Sequence, residues 1–264
     1  MSASDELGKR MKENYEKIND YKLTRRTPVI IRIDGKAFHT FTKGFNKPFD
    51  TILMKTMQET MKALCENIQG CVLGYTQSDE ISLLLIDYKK TTSSAWFNNE
   101  VQKMCSVAAS MATMVFNCKF RKYVIEHVDD FYEAWNHSTV EKKYIDTLNK
   151  AVEKGAMFDA RCFNIPREEV TNYFYWRQLD ATRNSIEMVG RANFSHKELQ
   201  HKSCSDIQEM LHQKGLNWNN CTVPEKRGSC CIKTDEGWIV DKNIPIFKSD
   251  DRKYIEDLIW CDEQ

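Results

Sequence analysis

Two short acidic stretches hold the residues with most chemical promise. In RIDGKAFHTFTKGFNKPFD, residues 32–50, the apolar run PVIIRI ends on Asp34-Gly35. In GYTQSDEISLLLI, residues 74–86, Asp79 and Glu80 interrupt two apolar runs. If the first run and the hairpin formed by the second are neighbouring strands, three carboxylates meet at one rim of a sheet, where they repel unless a cation lies between them. Mg²⁺ takes oxygen ligands, usually one or two carboxylates plus substrate phosphates. Two such ions, about 3.5–4 Å apart, serve attack on phosphorus and departure of pyrophosphate. Acids left on a solvated surface are the competing reading of the same pattern. Gly35 lets backbone approach a ligand closely, and neighbouring N–H groups can face phosphate oxygens, with Lys36 and His39 adding polar or positive contacts. Lys103, with Ser106 three residues on and on the same helix face, either faces a triphosphate or is plain solvated surface.

The elements that must position these residues follow from periodicity. Leu7, Met11, Tyr15 and Ile18 predict an amphipathic helix over 5–19, and Pro28 precedes a buried strand, VIIRID. Asp50 caps a helix that ends near Gly70, with Met57, Met61 and Leu64 on one face. Residues 71–75 and 81–87 read as a hairpin around TQSDE, and 96–118 as a long helix with small residues on its packing face. A charged, irregular stretch fills 120–155, and AMFDARCFNI, 156–165, reads as a fourth strand. The order is that of a ferredoxin-like βαββαβ unit, an α+β fold with an antiparallel sheet. Helices after Pro166 and over 195–214, then a hairpin of 228–234 and 238–247, make a helical C-terminal part. The expected division is a catalytic domain of 1–160 and a C-terminal region of 161–264 packed on it.

Composition narrows the classes. Lys plus Arg and Asp plus Glu both total 38 in 264 residues, so any nucleic acid must be bound by local patches. Arg25-Arg26, Lys119-Arg121-Lys122 and Lys226-Arg227 are candidates. No apolar run has membrane-spanning length and no secretory h-region opens the chain, so a cytoplasmic protein without membrane partners is expected. Its ten cysteines form no C-x-x-C pair, and free thiols are expected. His196, His201, Cys204, His212, Cys221, Cys230 and Cys231 match no common zinc spacing. Phe38, Phe41, Phe45 and Phe49 either stack on bases or, as more often, pin a loop to its core. Trp176, Arg177 and Gln178 read as helix packing with a buried ion pair to Asp180 or to a strand carboxylate such as Asp159.

RIDGKAFHTFTKGFNKPFD and GYTQSDEISLLL, followed by QKMCSVAASMATMVF, FDAR at 158–161 and WRQLD at 176–180, together resemble the histidine-tRNA guanylyltransferase family and its Thg1-like branch. The resemblance spans residues 5–190. It implies a palm-like catalytic core that adds nucleotides in the 3′ to 5′ direction at tRNA 5′ ends, using GTP and ATP as substrates and two Mg²⁺ ions, in a homotetramer built as a dimer of dimers. It implies Asp34, the Gly35 carbonyl and Asp79 as metal ligands, with Glu80 the acidic neighbour in the catalytic set. It implies nucleotide binding by Asp34, Gly35, Lys36, Ala37, Phe38, His39, Ser78, Asp79 and Lys103. Where guanylyltransferases proper carry a H-I-N-N tetrad, this chain has Thr182, Arg183, Asn184 and Ser185, which points to template-dependent repair of truncated tRNA rather than addition of one G to histidine tRNA. An arginine pair expected ahead of Lys103 is replaced by Asn99 and Glu100. A catalytically silent RNA binder on a palm scaffold and a cyclase-like enzyme are the rivals from other classes.

Overall fold

The computed structural model describes residues 3–18, 20–133 and 138–260. Helix α1 (Ala3–Met11) continues through Lys12–Glu16 in a wider π turn. Strand β1 (Val29–Gly35) then leads through the short α2 (Phe38–Phe41) to α3 (Thr51–Asn67). Strands β2 (Cys71–Gln77) and β3 (Glu80–Leu85) form the hairpin, followed by α4 (Val101–Glu133), α5 (Thr139–Lys154) and β4 (Phe158–Asn164). The C-terminal part holds α6 (Arg167–Asn193), α7 (His196–Leu199), α8 (Cys204–Gln213), α9 (Val223–Arg227), β5 (Ser229–Thr234), β6 (Gly237–Asp241) and α10 (Lys253–Ile259).

The six strands form one antiparallel sheet in the order β4-β1-β3-β2-β5-β6. Strand periodicity sorts its side chains into two cores. Ile31 and Ile33, paired with Leu83 and Ile81, join Met57, Met61 and Leu64 of α3 and Ala108, Ala112 and Phe116 of α4. Ile30 and Leu84, the residues between, face Val170, Tyr173 and Phe174 of α6 and Ile255 of α10 on the other side. Gly74 permits the tight seat of α3, since a Cβ there would lie 2.5 Å from Cys65 Sγ and 2.8 Å from Met61 Cγ. The Asp50 side chain accepts from Leu53 N–H at 2.9 Å and fixes where α3 begins.

Several boundaries differ from expectation. The charged stretch 120–155 is largely helical: α4 runs on to Glu133, and α5 begins on the Ser138 cap. Heptads interrupted by surface charge hide a helix that buries only a narrow stripe, here Phe116, Phe120 and Val124. The single helix expected over 195–214 is split into α7 and α8, because Ser195 with Glu198 and Ser203 with Asp206 each form a capping box. The expected division at residue 160 falls within β4. Hairpin β5–β6 of the C-terminal region pairs directly with β2 and extends the same sheet. The end of the expected 5–19 helix, at residue 19, lies outside the described residues. No helix among them is long and apolar enough to cross a membrane.

Candidate active site

Asp34, the penultimate residue of β1, lies directly opposite Glu80 on β3 and Asp159 on β4. Gly35 N–H donates to the Asp79 carbonyl at 3.2 Å, tying the strand end to the hairpin turn. A Cβ on Gly35 would collide with the Phe38 ring, so only glycine lets the chain turn over that ring. Ala37 follows in the left-handed region, φ 53°, and α2 then carries Phe38 and Phe41 into the core. Their rings lie 5.6 and 5.8 Å from Phe116, while Phe45 stacks on Phe120 at 5.9 Å. Three of the four loop phenylalanines therefore anchor the segment after β1 in the core and are not free to stack on bases.

In the hairpin, Ser78 takes a left-handed backbone and its Oγ donates to Asp79 Oδ1 at 2.9 Å. Burial pushes the Asp79 carboxyl up from the usual range, and the charge of Asp34 adds to this against the Ser78 bond. Burial also raises Glu80, with Arg177 pulling the other way. Two repelling carboxylates beside a backbone carbonyl form an oxygen-only donor set. The described residues hold no group of three or more His, Cys, Asp or Glu in metal-site geometry. Asp34 and Asp79 offer carboxylate oxygens, the donors a hard cation takes, and make no zinc-type cage among the described residues.

Glu80 has a different role from the other two acids. Arg177 of α6 clamps it, Nε to Oε1 and Nη2 to Oε2 both at 2.7 Å, with side chains only 7% and 9% exposed. Both Glu80 oxygens are thus engaged by the Arg177 guanidinium, which fixes the orientation of the carboxylate and balances its charge. The expected partner Asp180 also accepts from Arg177, at 3.0 Å. The strand carboxylate is Glu80 and not Asp159, which is bonded by Arg161 at 3.3 Å.

A cleft of about 690 Å³ opens beside the carboxylates and gathers Gly35, Ala37, Phe38, His39, Ser78 and Asp79. Asp34 and Lys36 are not among its lining residues; Lys36 is exposed, with its N–H donating to the Met157 carbonyl at 2.8 Å. The same cleft is lined by Lys43, Lys47 and Arg191, which sequence reasoning had not singled out. Lys103 is not among these residues. Its neighbour Cys105 touches Cys162 at 3.5 Å, whereas Thr113 is the α4 residue level with Phe158 and Gly35. Ten helical residues separate Lys103 from that level, about 15 Å along the axis.

The sheet face shared by Asp34 and Glu80 carries two more cations. Arg32 lies opposite Arg161, one pleat below the pair Asp34 and Asp159. The Arg32 Nε is buried without a hydrogen-bond partner, and the Arg161 side chain is 51% exposed. Their signal in the sequence was the i,i+2 spacing of R-I-D and D-A-R, which puts each arginine on the same face as its acid.

The tetrad positions sit further along α6. Asn184 donates to Asp180 at 3.3 Å, and Ser185 accepts from the Trp218 indole at 2.9 Å. Asn99 and Glu100 serve the chain itself: the Asn99 carbonyl accepts from Leu23 N–H at 2.9 Å, and Glu100 bridges Lys22. Cys230 and Cys231, adjacent on β5, enter opposite cores, which separates two members of the zinc set.

Known proteins resemble this chain along nearly its whole length. The family model described as tRNAHis guanylyltransferase, Thg1, matches residues 8–166. A bacterial tRNA(His) guanylyltransferase (Thg1)-like protein solved in complex with ATP is 44% identical, with a TM-score of 0.81 covering 96% of this chain and 99% of that one. A second such structure, in complex with GTP, is 41% identical with a TM-score of 0.76, covering 97% of this chain and 100% of that one. The tRNA(His) guanylyltransferase of Debaryomyces hansenii is 28% identical over 78% of this chain and 74% of its own length. Joined to the carboxylate rim and the adjoining cleft, these matches establish that the chain belongs to the tRNAHis guanylyltransferase (Thg1) family.

Proposed function

We propose that the protein is a Mg²⁺-dependent 3′–5′ nucleotidyltransferase that adds nucleotides to the 5′ end of tRNA, of the Thg1-like kind that repairs truncated ends on a template. The observation that carries this reading is the placement of Asp34 and Asp79 next to two separate groups of cations. The cleft with Lys43 and Lys47 lies to one side and the Arg32–Arg161 pair to the other. The cleft suits the incoming nucleoside triphosphate, and the arginine face suits the phosphorylated RNA end. The 3′-hydroxyl of the nucleotide then approaches the activated 5′ phosphate, forming one P–O bond as pyrophosphate, or AMP after activation by ATP, departs. Such a transfer needs positioning and charge neutralisation more than a protein nucleophile. Asp34, Asp79 and the Gly35 carbonyl would hold two Mg²⁺ ions, which supply that neutralisation when bound. The remaining work belongs to the chain: Phe38 and Phe41 fix the loop, Ser78 orients Asp79, and Arg177 holds Glu80 in place.

Bound ATP and GTP in the Thg1-like structures support both nucleotides as substrates here. The replaced tetrad supports repair over the addition of a single G to histidine tRNA. We place the reaction in the cytoplasm. A homotetramer is supported by α1, whose Leu7 and Met11 are 50% and 42% exposed with no partner in the chain's own core. Sedimentation velocity giving a monomer at micromolar protein would remove that assignment.

The test is incorporation of labelled nucleotide into a 5′-truncated, 5′-triphosphorylated tRNA, comparing wild type with Asp79→Ala. Template-matched addition that disappears in the variant is expected. Preference for intact histidine tRNA would select guanylate addition instead, and absence of any addition with tRNA still bound would select the silent binder.

A further inference from the structure

Beyond Arg191, on the side away from the nucleotide cleft, α6 and the α7–α8 pair enclose a wider concavity of about 840 Å³. Arg183, Arg191, His196 and Lys202 line it, and Glu187 is the one carboxylate among its lining residues. Arg183 and Arg191 are 59% and 68% exposed; Arg191 pairs with Glu187 at 2.6 Å, while Arg183 bonds Asp180 at 2.6 Å and reaches Glu187 only at 4.0 Å. Exposed pairs of this kind contribute little to stability, so Arg191 can exchange Glu187 for a phosphate at small cost, and Arg183 has donors left beyond its bond to Asp180. The floor is apolar, with Leu199 and Ile207, and the one phenyl ring among the lining residues, Phe194, is already covered by Lys214 at 4.1 Å. The surface therefore offers charge and shape to a backbone and no stacking slot for a base.

Two further features select the ligand. The chain as a whole is neutral, so a polyanion must be drawn by a local group of cations, and this concavity holds three. Arg191 also lines the cleft that contains Asp79, so a strand lying here leads directly to the carboxylates. None of the basic pairs visible in the sequence lines that cleft. Arg183 stands within the altered tetrad, where the substitution adds a cation facing this concavity.

We infer that the α6/α7–α8 cleft binds the sugar–phosphate backbone of the substrate RNA near its 5′ end, with Arg183, Arg191 and Lys202 as phosphate contacts. This assignment rests on the RNA-acting function proposed above.

Fluorescence anisotropy of a 3′-labelled, 5′-truncated tRNA, titrated with the full-length protein across a series of KCl concentrations, tests it. For Arg183→Gln with Lys202→Gln, the slope of log Kd against log salt should fall by about 0.7–0.9 for each lost contact. GTP binding, followed separately, should stay at the wild-type value. Glu187→Gln should act in the opposite direction and tighten RNA binding severalfold, an effect that damaged folding does not produce. Control substitution of the exposed Lys89 and Lys90 should change nothing. Unchanged affinity and slope in the double variant, with wild-type protein binding RNA normally, would overturn the cleft assignment alone. Wild-type protein that binds GTP and no RNA would overturn the functional reading with it.

Discussion

Replacing Arg177 with methionine removes one half of a buried, doubly bonded ion pair and leaves Glu80 with no cation against either oxygen. In the native chain Arg177 spans from α6 to β3 and gives three short bonds, two to Glu80 at 2.7 Å and one to Asp180 at 3.0 Å. Removal of one partner from such a pair costs about 3–5 kcal/mol, because the stranded charge stays out of water. Typical domains are stable by only ~5–15 kcal/mol, so the loss is a large share. At roughly 2–4 °C per kcal/mol for a chain of this size, the unfolding midpoint should fall by about 6–20 °C. Adding Glu80→Gln to the same chain removes the stranded charge and should restore most of the loss, since an uncharged pair of similar shape is often nearly neutral. Thermal and urea unfolding followed by circular dichroism measure both variants. If Arg177→Met loses less than about 1 kcal/mol, or the second substitution makes it worse, the electrostatic account of this clamp is wrong.

Gly35→Ala should abolish nucleotide addition and destabilise the fold by about 1–3 kcal/mol, because the new methyl overlaps the Phe38 ring; incorporation and melting assays check both. Phe116→Ala empties the space against which Phe38 and Phe41 lean and should cost about 3–5 kcal/mol, with a raised KM for the nucleotide as the loop loosens. Burial pushes the Asp180 carboxyl up, but the bond from Arg183 and the charge of Arg177 outweigh it and hold its pKa below the ordinary value. Its stabilisation is therefore complete above the ordinary value and is lost as pH falls through the depressed one; Asp180→Asn should flatten the acid limb of the stability curve in that window. Arg161→Gln should raise KM for the triphosphorylated RNA and leave GTP affinity unchanged, whereas Lys47→Gln should do the reverse. Loss of one charge-assisted contact, about 1.5–3 kcal/mol, sets the effect at roughly 10- to 150-fold in each case.

What could be read from the sequence was what local chemistry dictates. Asp34-Gly35 at the end of an apolar run and Asp79 in a hairpin turn were legible because strand pattern and turn chemistry are short-range. Asp50 as a helix cap was legible for the same reason. Arg177 was recognised as half of an ion pair, but Glu80 lies 97 positions away and only the packing of α6 across the sheet selects it over Asp159. Lys103 shows the converse problem. Its spacing on a helix said which face it occupies, but not which end of the sheet that turn of α4 would reach. The capping boxes at Ser195 and Ser203 were present in the sequence, where the apolar periodicity of 195–214 outweighed them and two helices were read as one. The C-terminal hairpin was legible as a hairpin, but its pairing with β2 joins residues some 150 positions apart and leaves no local trace.

The clamp on Glu80 links parts of the site that seem unrelated along the chain. Asp79 and Glu80 are consecutive, one in the turn and one opening β3, and their side chains part: Asp79 lines the cleft beside Gly35 while Glu80 turns beneath α6. Helix α6 therefore holds the hairpin from one side through Glu80 and presents Met188 and Arg191 to the cleft on the other. The same helix carries the altered tetrad between these two regions. A shift of α6 caused by what lies against Arg183 would reach Asp79 through a single bidentate bond and one peptide unit. Substitutions of Arg183 and its neighbours on the α7–α8 side of α6 that change kcat while leaving GTP affinity intact should consequently lose that effect when Glu80 and Arg177 are both made neutral. Independent action of the two sets, with effects that add, would show that α6 transmits nothing to the carboxylates.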